Sequence, residues 1–152
     1  MIETEFPAGN YTLAALENEG AGQVVIGLHG FLDNAASLAP LAPYLQSYRF
    51  IAIDLAGHGL SSHRPQGMHY NQVDYLQDLY AFIQQQEFND VILLGHSLGG
   101  ILATLYAGLF PDQIKAVVSI DACGPLTKAA ATTQEQMRAS IINRHRKSRN
   151  QL

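Results

Sequence analysis

The ten residues Val91-Ile-Leu-Leu-Gly95-His96-Ser97-Leu98-Gly99-Gly100 constrain this chain more than any other stretch. An unbroken apolar run suits a strand buried on both faces of a parallel sheet, and the Ala- and Leu-rich pattern that follows suits a helix. Between them Gly95 and Gly99 flank Ser97 at the spacing G-x-S-x-G, where a sharply reversing chain leaves no room for a Cβ. A serine at the tip of such a turn is expected at positive φ, with its hydroxyl above the sheet and close to a helix N-terminus. That geometry makes Ser97 a candidate nucleophile. The plain alternative is a glycine-rich strand-to-helix turn that happens to carry a serine.

The flanking chain repeats the alternation of strand and helix. Ile2 to Phe6 and Tyr11 to Leu16 read as two short strands joined by the turn signal Pro7-Ala8-Gly9-Asn10, an antiparallel edge. Gln23 to His29 is a buried strand running into the loop Gly30-Phe31-Leu32-Asp33-Asn34. Ser37 to Tyr48 reads as a helix broken near Pro40 and Pro43, and Arg49 to Asp54 as the next strand. After the polar, glycine-rich loop from Leu55 to Pro65, Val73, Leu76, Leu79 and Ile83 recur at helical spacing within Asn71 to Phe88. Leu98 to Phe110 is a helix stopped by Pro111, Ala116 to Asp121 a further strand, and Thr132 to Ile142 a last helical segment. The pattern predicts an α/β fold, a mostly parallel sheet flanked by helices with right-handed crossovers. Its site lies at the C-terminal strand ends, where Ser97, the loop after His29, the Gly57 to Ser61 loop and Asp121 all fall.

Composition narrows the chemistry. With 152 residues, 47% hydrophobic and 14% charged, the chain can build a buried sheet. The single Cys123 excludes an internal disulfide and reads as a small buried hydrophobe. The acidic start Met1-Ile-Glu-Thr-Glu is unlike a secretory signal. The most apolar stretch, Ile101 to Phe110, is short and interrupted by Thr104, Tyr106 and Gly108, so the expectation is a soluble, cytoplasmic protein with no membrane partner. Up to residue 137 only Arg49, Arg64, Lys115 and Lys128 oppose all 13 Asp/Glu; Arg138, Arg144, Arg146, Lys147 and Arg149 make the tail basic. No aromatic interleaves that tail, and Met137 and Ile141 fall at i and i+4. It therefore reads as the solvated face of a helix, with no nucleic-acid partner. Neither G-x-G-x-x-G nor G-x-x-x-x-G-K-[ST] occurs, so no nucleotide cofactor is expected. The histidines at 29, 58, 63, 69, 96 and 145 are scattered without paired ligands, so no metal is expected either.

Three stretches in this order, His29-Gly30-Phe31, Asp54-Leu-Ala-Gly57-His58-Gly59-Leu60-Ser61 and Gly95-His96-Ser97-Leu98-Gly99-Gly100, resemble the α/β-hydrolase fold family. Gly59 to Pro65 together with Asp121-Ala-Cys-Gly-Pro125 is similar to its serine-hydrolase-like proteins. The resemblance implies an acyl-transfer site: Ser97 as nucleophile, an oxyanion hole from the backbone N–H groups of Phe31 and Leu98, and a small-molecule acyl substrate. Two fixed N–H donors stabilise the negative charge that acyl transfer builds on a carbonyl oxygen.

The same resemblance implies a triad running Ser, then Asp or Glu, then His. Asp121 is a candidate acid, against the alternative of a structural carboxylate at a strand end. No strand followed by a histidine comes after Ser97, and the one later histidine, His145, lies in the basic tail. The expectation is an α/β-hydrolase core cut after its sixth strand, with residues 1–126 as the N-terminal part of the core and 127–152 as the start of a lid. His29, His58 and His96 are expected to shape loops rather than act as base. Two readings follow: a serine hydrolase whose base lies elsewhere, or a non-catalytic module that binds a ligand or partner. Without a covering strand, Ala116 to Asp121 would be an open edge suited to self-association.

Overall fold

The computed structural model describes residues 1–122. Six strands form one sheet in the order β1-β2-β4-β3-β5-β6: β1 (Ile2–Ala8), β2 (Tyr11–Glu17), β3 (Val24–Leu28), β4 (Arg49–Ile53), β5 (Val91–His96) and β6 (Ile114–Ile120). β3 pairs parallel with β4 and β5, and β5 with β6; β1–β2 and β2–β4 are antiparallel. The sheet is therefore mostly parallel with an antiparallel edge, as the alternating pattern predicted. Helices α1 (Gln72–Gln85) and α2 (Leu98–Leu109) cover one face of it. A 3₁₀ segment, Ala35–Tyr44, covers part of the other over Val25, Phe50 and Ala52.

The core follows from strands buried on both faces. Ile26, Leu28, Ile51, Ile53, Val91 and Leu93 point into the α1/α2 side and join Phe82, Ile83, Leu102 and Tyr106. The alternate residues Val25, Phe50, Ala52 and Leu94 pack under the 3₁₀ segment. A strand with one exposed face would alternate apolar with polar, and these do not.

Local expectations shift where tertiary context intervenes. The segment expected as a helix over Ser37 to Tyr48 starts at Ala35 and winds as 3₁₀. Asn34 Oδ1 accepts the Ala36 N–H at 2.9 Å to start it, and Pro40 and Pro43 remove two ladder donors within one turn of each other. The first hairpin turn shortens to Gly9-Asn10, because Pro7 and Ala8 pair with Thr12 and Tyr11 as part of β1, an edge strand that tolerates proline. Helix α1 starts where the Asp74 carboxylate accepts the Asn71 N–H at 3.0 Å. Its buried face is Tyr75, Leu76, Leu79, Phe82 and Ile83. Val73 is 72% exposed, since it stands one heptad from the exposed Tyr80 on the solvent side. β6 begins two residues earlier than expected and ends at Ile120, leaving Asp121 just beyond it at φ +65°. The 126/127 boundary, the helical segment Thr132 to Ile142, Cys123 and His145 lie outside the described residues. Among the described residues no helix is long and apolar enough to cross a membrane.

Candidate active site

Ser97 sits alone between β5 and α2 at φ +49°, ψ −112°, a backbone conformation that costs a non-glycine residue on the order of 1–3 kcal/mol and persists only where its surroundings impose it. Those surroundings are the two glycines. A Cβ on Gly95 would lie 2.2 Å from the Gly99 carbonyl oxygen, and one on Gly99 would lie 2.0 Å from the Leu28 oxygen. The Gly99 N–H donates to the His29 carbonyl at 3.1 Å, which ties the elbow to the end of β3. The Ser97 N–H donates to the Ile120 carbonyl at 3.0 Å, which ties it to the end of β6. A Cβ at position 99 would also lie 2.8 Å from the His29 oxygen, so the first of these ties does not survive a side chain there. Gly99→Val is expected to destabilise the fold by about 3 kcal/mol or more, read as a lowered denaturant midpoint at unchanged m-value.

The loop after β3 reaches the serine directly: a Cβ on Gly30 would stand 3.6 Å from Ser97 Cβ and 3.2 Å from His96 Nδ1. Phe31 follows Gly30 with its side chain 69% exposed. Among the described residues neither the Phe31 N–H nor the Leu98 N–H donates to a backbone carbonyl. Leu98 is the first residue of α2, where backbone N–H groups have no partner within the helix and the helix dipole favours negative charge.

His29 and His58 are held by backbone groups. His29 is fully buried; its Nε2 accepts the Leu55 N–H at 2.9 Å, so the proton is on Nδ1, which donates to the Gly30 carbonyl at 2.7 Å. Burial pushes the His29 imidazole below its ordinary value, and the neighbouring His58 pushes the same way. Held neutral, His29 welds β3's loop to β4's. His58 Nδ1 bonds the Ala56 carbonyl at 3.2 Å, with its ring between His29, Phe31 and Tyr75. His63 and His69 are exposed, and no hydrogen bond joins any described histidine to Ser97.

The His29 proton count gives a pH dependence. Unfolded, the imidazole protonates near its ordinary value of about 6.5; folded, it does so only at lower pH. Between the two the unfolded chain binds more protons, so stability falls as pH drops below about 6.5, by at most about 1.4 kcal/mol per pH unit, and levels off below the folded value. Denaturation midpoints at pH 7.5 and 5.5 should therefore diverge more for the natural chain than for His29→Gln. Equal divergence would show that His29 titrates alike in both states.

Two parts of the site's frame were not singled out in the sequence. Asp54, 6% exposed at the end of β4, accepts the Ala35 N–H on Oδ1 at 2.7 Å and the Leu60 N–H on Oδ2 at 2.8 Å, fastening the loops after β3 and β4 to each other. Gly59, at φ +50°, leaves the space this carboxylate fills, since a Cβ there would lie 2.0 Å from Oδ2. The second is the buried pair of Arg64 and Asp78, 2.6 Å apart, with the guanidinium 5.0, 5.3 and 5.7 Å from the rings of Tyr11, Tyr70 and Tyr75. It fastens the end of the His58 loop to α1. The spacing Asp54 to Gly59 was the available signal for the first; the second joins residues 14 positions apart through a fold no local pattern reveals.

Residues 23–142 match the alpha/beta hydrolase fold family. The chain belongs to that family. It is 36% identical over 121 residues to a serine hydrolase-like protein of Danio rerio, an alignment that spans 79% of this chain and 37% of the relative. It is also 36% identical over 121 residues to 2-(acetamidomethylene)succinate hydrolase of Mesorhizobium japonicum, across 79% of this chain and 42% of that enzyme. The crystal structure of a hypothetical protein from Pseudomonas aeruginosa PAO1 superposes with a TM-score of 0.83 at 37% identity, covering 95% of this chain and 53% of that one. The chain thus spans between about a third and about a half of the length of these α/β-hydrolase relatives. In this family the acid and the histidine of the triad follow the serine in sequence. Of the described residues after β5, Asp121 is an exposed carboxylate on the same sheet edge, one residue past the Ile120 carbonyl that holds Ser97.

Proposed function

We propose that this chain carries the nucleophile and oxyanion-hole half of a serine hydrolase acting on esters or related acyl compounds. The observation that supports this most directly is the strained Ser97 elbow seated against Gly30, the residue before Phe31, with Leu98 opening α2 directly after it. In this reading Ser97 Oγ gives its proton to a base and attacks the substrate carbonyl carbon. The N–H groups of Phe31 and Leu98 receive the oxyanion, the alkoxide leaves with the base's proton, and water later frees the acid from Ser97. Asp121 is the proposed acid. The base is proposed to come from outside residues 1–122, because both nitrogens of His29 and Nδ1 of His58 are engaged elsewhere.

The test is turnover of a short-chain chromogenic ester by three proteins. These are the chain itself, its Ser97→Ala variant, and a chimera joining residues 1–122 to the C-terminal part of the Pseudomonas aeruginosa relative. Rapid turnover by the chimera that is lost in its Ser97→Ala form supports the reading. A chimera that folds yet hydrolyses no ester, with or without Ser97, would leave this chain a binding module only.

A further inference from the structure

The carbonyl of Gly30 accepts two hydrogen bonds. The His29 Nδ1–H reaches it at 2.7 Å and the backbone N–H of Asp33 at 3.3 Å. The second bond closes the turn Gly30-Phe31-Leu32-Asp33, in which Leu32 stands at φ +58° and Phe31 does not have a positive φ. That is the pattern of a type II turn, whose third position glycine usually fills. A leucine there is strained and stays only where its surroundings hold the turn. The His29 donor is part of that hold. The far side of the same ring is fixed as well, since Nε2 accepts the Leu55 N–H at 2.9 Å from the loop after β4. His29 is 0% exposed, so the described residues alone enclose it.

Among the described residues no peptide bond is cis, and in a planar trans peptide the N–H points opposite to the C=O. Fixing the Gly30 carbonyl therefore fixes the direction of the Phe31 N–H. It leaves the turn on the side away from His29 Nδ1, and no backbone carbonyl among the described residues takes it. We infer that His29 is a positioning residue of this site: its Nδ1–H holds the Gly30–Phe31 peptide plane, and with it the Phe31 N–H, in the orientation of an oxyanion donor. The role of Phe31 in this inference rests on the serine hydrolase reading proposed above; the hold on the peptide plane does not. Anchored by the longer Asp33 bond alone, the amide could rock about its flanking torsions. A donor that must find its angle during the reaction stabilises an oxyanion less than one already fixed.

Two substitutions separate the two bonds of the ring. His29→Asn sets a side-chain N–H near the place of Nδ1 and nothing at Nε2, whereas His29→Gln sets a carbonyl oxygen near the place of Nε2 and no donor at Nδ1. In the 152-residue chain, NMR order parameters of the two backbone N–H vectors should cross over. Phe31 should stay near about 0.85 in the natural chain and in His29→Asn and fall toward about 0.6 in His29→Gln, while Leu55 should loosen in His29→Asn alone. A ring that only fills the core would loosen both amides together in each variant. In the chimera, His29→Gln should lower kcat at least about tenfold with KM little changed, and His29→Asn should restore most of that loss. Long-range nitrogen–proton correlation spectra of the natural chain should show His29 protonated on Nδ1 and bare on Nε2. The opposite tautomer would overturn the inference whether or not either variant folds. Equal Phe31 order in all three proteins would overturn it too, because the Asp33 bond would then suffice. A chimera whose turnover does not need Ser97 would sink the serine hydrolase reading, and the order parameters would still decide what His29 holds.

Discussion

Hydrolysis of a chromogenic short-chain ester by the chain should run about 10⁶ below the rate of a complete serine hydrolase, and Ser97→Ala should change it little. Serine hydrolases that lose either the nucleophile or its histidine drop by about 10⁶ in kcat, while the oxyanion hole and binding retain about 10³ to 10⁴ over water. The hydroxyl of Ser97 is a weak nucleophile until a base takes its proton. His29 and His58 are engaged with backbone groups, and no hydrogen bond joins any described histidine to Ser97. In the chimera that supplies the acid- and histidine-bearing strands, the full factor should appear, and Ser97→Ala should then cost about 10⁶. Asp121→Asn in the same chimera should cost on the order of 10⁴ if Asp121 orients that histidine, and almost nothing if the partner's own carboxylate does so. Rapid turnover by the 152-residue chain alone, abolished by Ser97→Ala, would place the base within it and overturn the assignment to an outside strand.

The largest stability effect is expected from breaking the pair of Arg64 and Asp78. Both side chains are almost completely shielded, at 4% and 8% exposure, so Asp78→Ala strands a guanidinium among three tyrosines without its carboxylate. Removing one partner of a buried pair costs about 3–5 kcal/mol, because the charge left behind is neither solvated nor compensated. For a domain of this size that corresponds to a fall in Tm of roughly 10 °C. Replacing both, as Arg64→Met/Asp78→Leu, should recover most of the loss, since two apolar side chains of similar volume remove the desolvation cost altogether. A double variant no more stable than Asp78→Ala would show that the tyrosine packing around Arg64 carries the effect and the charges do not. Because the pair anchors the loop that presents His58 to Phe31, the single variant is also expected to loosen the Phe31 backbone N–H, seen as faster hydrogen exchange there.

How much of this was legible in the sequence follows from the range over which each interaction acts. The elbow is local: Gly95, Ser97 and Gly99 lie within five residues, and the Cβ contacts that exclude other side chains at 95 are made by the same turn. Strand identity was legible for a related reason, since burial on both faces demands the continuous apolar runs seen in β3, β4 and β5. The chain by itself therefore determined the α/β class, the order of its elements and the serine at the tip. Tertiary structure decided what depends on distant partners. The spare face of α1 buried Tyr75 and left Val73 in water. The Asp54 carboxylate became the clasp between two loops because Ala35 and Leu60 came to lie on either side of it. Arg64 found Asp78 across a fold rather than along a helix, and β6 came to lie beside β5 only through the strand order, which no residue of β6 encodes. Short-range sterics are written in adjacent residues, whereas the pairing of buried polar groups and the neighbours of a strand exist only once the sheet has assembled.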